Sequence, residues 1–486
     1  MAGGHAKVTV DIPRQVTKSM GSRDGYSGSP TSWLPTEIYQ MIVNHIVLHY
    51  DRCNDDQKAI RAKTLSSLAR TSRTLQRLTE PYIYTFPEGS RLQISQGLER
   101  LQQSLAADSR RANLVQVLDI KWDTPVSSRR LVIDIARRCP NLCTLHLYFP
   151  EAASRSDEFG QTYVDNLADL FFACPKVRKL RLATYCEEAL PIPAQDGRVV
   201  EFAGQLSHVE VDAGGTWFHE SMLPYLSPNV ISFVMINPGS GDHTGFLKTL
   251  GQRCPVLQRL KIMCRGITLV DLAALCKALG STLKVLYLRN LEYDRSVLSL
   301  FLPHMQVLEH LYLGNEVPLY TQDLDSMSSL SHLRTFIADG GEAEWVDEPD
   351  KFFYGEEALD VYRAVARFLS AHMMTLETMW IDACDCALNE DVFESLKLVR
   401  NLRSVGLDLC YRLKREEVVG LLEACPKLQE ASDIHKTLEE EFGDEEEPYG
   451  SLLWVEYPPQ KPWFENDFPH SSSGWSDGLR QPQLRI

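Results

Sequence analysis

Most of the marks by which a chain announces chemistry are missing from this one. No stretch of its 486 residues approaches the roughly 20 consecutive apolar residues needed to cross a bilayer. The opening MAGGHAKVTVDIPRQ has no apolar core of signal-peptide length. The expectation is a cytoplasmic or nuclear protein with no membrane partner. An excess of positive charge is missing too. Against 65 Asp and Glu stand 50 Lys and Arg, a formal net charge of -15, which repels nucleic acid and anionic surfaces overall and leaves room only for a local basic patch. No H-E-x-x-H zinc motif or kinase signature occurs. The segment GSGDHTG at 239–245 is the most phosphate-loop-like, but it lacks the Gly-Lys-Ser/Thr ending and reads as a glycine-rich turn. No enzyme activity, cofactor or metal is expected. Cys384 and Cys386 form a C-x-C pair without a second pair or a nearby histidine to complete a zinc set.

What is present is repetition. Stacking the phrases gives apolar, two residues, apolar, one residue, apolar: Leu142, Leu145, Leu147; Leu257, Leu260, Ile262; Leu308, Leu311, Leu313; Leu402, Val405, Leu407. The first anchors fall at Val115, Leu142, Val177, Leu206, Val230, Leu257, Leu283, Leu308, Leu333, Leu376, Leu402 and Leu428, and nine of the eleven steps measure 24 to 29 residues. A period of this size marks a repeat array, which escapes the three domains that length alone suggests. The last two residues of each triplet alternate as in a short strand with one face inward. Between phrases, segments such as LVDLAALCKALGS (269–281) carry the helical i, i+3, i+4 rhythm, with Gly280 as a stop. One strand and one helix cannot bury their apolar faces alone, so the units must stack over a shared core. The fold class expected is an α/β repeat solenoid. Cys139, Cys174, Cys254 and Cys425 each precede proline at the same place in the phrase, which points to packing as reduced thiols.

The chain divides accordingly. A Gly- and Ser-rich leader (1–30) is followed by a small helical domain (31–86), a connecting or capping helix (87–111), and the array (112–434, about twelve units). Polar insertions fall near 148–162 and 339–362, and an acidic and aromatic tail (435–486), expected to fold back on the last units, ends the chain. In the helical domain a proline stands in the first turn and Ile38, Ile42 and Ile46 form a stripe. A second helix over 63–80 carries Leu65, Leu68, Leu75 and Leu78 and stops at Pro81, predicting a hairpin too small to stand alone. Strand residues between the inward leucines must point to the opposite, concave face. Early units put Lys121, Lys179, Arg181, Arg259 and Lys261 there; middle units Tyr287, Arg289, His310 and Tyr312; late ones Trp380, Asp382 and Asp408. Tyr287, Tyr312 and Trp380 are candidate anchors for an unknown protein substrate, with Arg289, His310 and Asp382 around them, or else are ordinary strand residues.

The phrase IDACDCALNEDVFESLKLVRNLRSVGLDLC, with Cys384 and Cys410 just after the strands, resembles leucine-rich repeats of the cysteine-containing type, which implies a horseshoe. Leu34-Pro35, the isoleucine stripe and the phrase Leu65–Leu68–Thr71-Ser72-Arg73–Leu75–Leu78–Glu80-Pro81-Tyr82–Tyr84 resemble the F-box family in its fungal form. The connection from Leu48 to Ala62 is longer and more polar than in that family. The resemblance implies docking on a Skp-family adaptor of a cullin ubiquitin ligase, with Leu34, Pro35, Ile38, Ile42, Leu65 and Leu68 lining the interface and the repeats holding the substrate. The alternatives are a helical cap for the array and a leucine-rich-repeat scaffold unconnected with ubiquitination.

Overall fold

The computed structural model describes residues 34–50, 55–87, 95–122, 126–149, 161–184, 196–212, 215–236, 245–263, 267–289, 298–314, 317, 319–338, 358–381, 390–408, 415–431 and 452–455. The leader, most of both insertions, Asp382, Cys384, Cys386, Cys410, residues 239–244 and the aromatic end of the tail lie outside them.

Eleven parallel strands form one open sheet in the order of the sequence: β1 (Val117–Lys121), β2 (Thr144–Phe149), β3 (Lys179–Thr184), β4 (His208–Asp212), β5 (Ser232–Ile236), β6 (Arg259–Met263), β7 (Val285–Arg289), β8 (His310–Leu313), β9 (Thr335–Ala338), β10 (Thr378–Ile381) and β11 (Ser404–Asp408). Each begins two residues after its anchor. The reason is a recurring turn. In the Cys-Pro phrase the cysteine carbonyl accepts the N–H of the anchor three residues on, at 3.1 Å for Leu142, 3.2 Å for Val177, 3.1 Å for Leu257 and 2.9 Å for Leu428. Proline fits the second position of such a turn. The four cysteines are buried, and burial pushes the thiols of Cys139, Cys174 and Cys254 up to about 12 and that of Cys425 to about 11, so they pack as apolar groups and make poor nucleophiles.

Connecting segments supply a helix or short 3-10 turns. Leu118 and Ile120, Leu286 and Leu288, Leu311 and Leu313 share a single continuous core with helix residues such as Phe171, Leu275 and Phe368. The helix at Leu269–Leu279 starts on Thr268, whose hydroxyl accepts the Asp271 N–H at 3.2 Å, and ends at Gly280. Glycine is required there for a reason other than a left-handed turn: its backbone is right-handed, and a Cβ would lie 2.1 Å from the His304 carbonyl oxygen of the next unit.

Two expectations about the ends need correction. The twelfth phrase does not make a strand: Pro426–Ala431 is helical. After Leu428 the next pattern positions hold Ala431 and Asp433, so no apolar pair is available to turn inward. The sheet's last strand, β12 (Leu452–Val455), comes instead from the tail and pairs antiparallel with β11, Val455 opposite Val405 and Leu452 opposite Asp408.

At the other end, the expected hairpin is three helices: α1 (Thr36–Tyr50), α2 (Asp55–Ala69) and α3 (Arg73–Thr85). Most of the polar connection is therefore helical. The break falls at Ser72, which caps α3 by accepting the Leu75 N–H at 3.2 Å, and Pro81 sits inside that helix rather than ending it. Val43, Leu65 and Leu75 form a small core with Tyr39, Ile46, Leu68, Leu78 and Ile83 around it. The bundle is held to the array through Glu80, which is 2% exposed and accepts Arg111 Nε and Nη2 at 3.1 and 3.0 Å and Arg110 as well. Both arginines lie on the short helix α5 (Ser109–Leu114), which follows the capping helix α4 (Ser95–Ala107) and leads into β1.

Candidate functional site: one helix face and one sheet face

Helix α1 is apolar on two sides. Tyr39, Val43, Ile46 and Val47 turn into the three-helix core. Leu34 is 41% exposed, Ile38 38%, Met41 65% and Ile42 40%, and these make a second stripe at the i, i+4, i+7, i+8 spacing of one helix face. Pro35 is exposed beside them, and its carbonyl accepts the Ile38 N–H at 3.1 Å. The six residues read as adaptor contacts therefore divide. Leu34, Pro35, Ile38 and Ile42 are exposed together, whereas Leu65 is buried and Leu68 half-buried in the bundle's own core. Met41 belongs to the stripe, although the isoleucine spacing alone does not include it.

On the sheet, alternation puts a second row of side chains on the face away from the helix-side core. In register across the strands stand Asp119, His146, Arg181, Glu210, Val234, Lys261, Tyr287, Tyr312, Ile337, Trp380 and Gly406. Tyr287, Tyr312 and Trp380 do share this face, but none stands out from it: they are 6%, 8% and 8% exposed and pack with Val234, Met263, Val285 and Ile337. The Tyr287 and Tyr312 rings stack with centroids 5.9 Å apart, and the Lys261 ammonium lies 4.6 Å from the Tyr287 centroid. The Trp380 indole lies flat over the next strand, where a Cβ on Gly406 would meet it at 2.7 Å. Arg289 lies in the same way across Gly314. These glycines, unremarked in the sequence, are what let the large side chains lie down.

Toward β1 the row is charged. Arg181 Nε meets Glu210 Oε1 at 2.9 Å, both side chains nearly buried. Burial, opposed by Arg181 and aided by Glu210, pushes the Asp212 carboxyl up to about 6. The residue just before each strand and the strand's first residue, together its opening positions, carry a third pattern. Arg178, Lys179, Arg259, Lys284, Arg334 and Arg403 stand there against two carboxylates, Glu309 and Glu377. Lys284 Nζ meets Glu309 at 2.8 Å, and Arg334 and Arg403 both approach Glu377 at 3.6 Å. An open cleft of about 420 Å³ runs along this edge, lined by Gln258, Arg259, Lys284, Val285, Glu309, His310, Arg334 and Glu377. His310 is buried in its wall with Nδ1 2.9 Å from Thr335 Oγ1. Burial, assisted by Arg334 and Lys284 against Glu309, pulls its imidazole down to about 3, and burial beside Lys179 and Arg259 takes His208 to about 4. Both rings are neutral at pH 7. Lys179 and Arg259 follow from the alternation of the strands, whereas Arg178, Lys284, Arg334 and Arg403 sit just before the strands and outside that pattern.

Among the described residues no group of three or more His, Cys, Asp or Glu is placed to hold a metal, and no helix is long and apolar enough to cross a membrane. No family model matches the chain, and no curated protein matches it.

Proposed function

We propose that this chain is a substrate-recognition subunit of a Skp–cullin–F-box ubiquitin ligase, docking its adaptor through α1 and binding a target protein with leucine-rich repeats. The observation that carries the reading is the second apolar stripe of α1. Exposed apolar residues at helical spacing, beside a face already committed to the bundle's own core, are what a helix needs to enter a partner's apolar surface. The motif residues Leu34, Ile38 and Ile42 make up that stripe together with Met41, and Pro35 is exposed beside it. Leu65 and Leu68 hold the bundle together and so support docking from behind. The anchorage of Glu80 to Arg110 and Arg111 fits the role, since a receptor must hold its target at a fixed place relative to its adaptor. No catalytic role is proposed for the chain itself.

Co-expression with a Skp-family adaptor tests this. The wild-type chain should recover the adaptor in a stable complex, and Leu34→Ala with Pro35→Ala, or Ile38→Asp with Ile42→Asp, should abolish recovery without lowering the melting temperature. A wild-type chain that recovers no adaptor, or stripe variants that recover it undiminished, would leave a repeat scaffold that binds proteins for another purpose.

A further inference from the structure

We infer that the cleft along the strand-opening edge of β6 to β10 receives an extended anionic peptide segment of the partner protein. This rests on the reading that the repeats bind a protein and adds the chemistry of the bound segment.

The charge balance carries it. The two strand-opening positions of β1 to β11 hold six cations and two carboxylates, a net charge of +4, in a chain whose formal net charge is -15. The middle row of the same face is neutral, Asp119 and Glu210 matching Arg181 and Lys261. Positive charge is thus concentrated at one edge, and at that edge the sheet also opens into a cleft, whose own lining holds three of the six cations against both carboxylates. Arg259 opens β6, and Lys284 and Arg334 immediately precede β7 and β9 along it, with Glu309 and Glu377 between and beyond them. The cleft spans four strand spacings of about 4.8 Å, or about 19 Å. An extended chain crossing the strands covers that with about six residues.

A peptide fits better than a nucleic acid. The aromatic rings of the face are packed against one another under a tenth exposed, which leaves no faces for bases to stack on. The shared chemistry is an anionic side chain, carboxylate or phosphate, and the two sources are separable by experiment.

The test is fluorescence anisotropy with the full chain and four labelled probes: a twelve-residue glutamate–alanine peptide, the same peptide with two phosphoserines, its lysine counterpart, and a single-stranded RNA of matched length. We expect the acidic peptide to bind saturably and to weaken at least tenfold when NaCl rises from about 50 to about 300 mM, a measurement that needs no variant. Arg259→Ser with Lys284→Ser should weaken it at least tenfold with an unchanged melting curve, while Arg137→Ser on the helical side should not. Tenfold tighter binding of the phosphoserine peptide assigns the ligand to phosphorylated segments; equal binding assigns it to acidic ones. No saturable binding of either, equal binding of the lysine peptide, or tighter binding of the RNA overturns the proposal. Leu34→Ala with Pro35→Ala should leave peptide binding intact, so failure here and failure of adaptor docking are told apart.

Discussion

The two faces of the sheet obey different rules. On the helix side every unit supplies the same kind of residue at the same place, and Leu286, Leu288, Leu311 and Leu313 are each 0% exposed in one continuous core. On the other face neighbours differ from strand to strand: an ion pair, a cation over a ring, two stacked tyrosines, an indole lying on a glycine. The first face is specified by volume and is interchangeable between units; the second is specified by the identity of the next residue in the row. Repetition accounts for the first, and only individual pairwise fit accounts for the second.

That contrast can be broken by substitution. Arg181→Met leaves Glu210 buried without its guanidinium and should cost about 3–5 kcal/mol, whereas Arg181→Met with Glu210→Leu should return most of that loss, as buried ion pairs replaced whole often do. A double variant as unstable as the single one in urea denaturation would show that the row is not organised by pairs. Leu288→Ala opens a cavity in the shared core and should cost about 2–5 kcal/mol, with a similar loss for Leu313→Ala, its register partner in the next unit. Widely different losses at these two equivalent positions would contradict the interchangeability of units. Gly406→Ala forces its Cβ into the Trp380 indole and should cost about 1–3 kcal/mol, detectable also as a change in tryptophan fluorescence. The last effect is one of pH. Folded His310 takes up its proton only near pH 3, against about 6.5 in the unfolded chain, so folding loses stability as pH falls through that window. His310→Gln should flatten the decline in urea midpoint between pH 7 and pH 5; an unchanged slope would place the acid sensitivity elsewhere, His208 being the next candidate.

The strands were legible because a period-two pattern and a fixed turn act within a few residues of each other: Leu142 sets both where β2 begins and which of its side chains turn inward. What escaped depended on distant residues or on competing local signals. Pro81 reads as a stop, but α3 continues through it to Thr85, and the real boundary was the Ser72 cap inside what looked like one apolar stripe. Leu428 fits the first pattern position, and only Asp433 at the third betrays the missing strand. Of the candidate site, the sharing of one face by Tyr287, Tyr312 and Trp380 followed from alternation. Their burial did not, because it depends on Gly406 and on the neighbouring rows.

The reversed polarity of β12 has a consequence for how such a molecule can grow. Parallel units in sequential order end on a strand whose free edge is the ready template for one more, whether from a duplicated unit or from another molecule. A strand running the opposite way occupies that edge and breaks the pattern of hydrogen bonds that a further parallel unit requires. It acts as a full stop: the number of units is set by the segment that follows them, and lengthening the array means inserting units in its interior rather than adding them at its end.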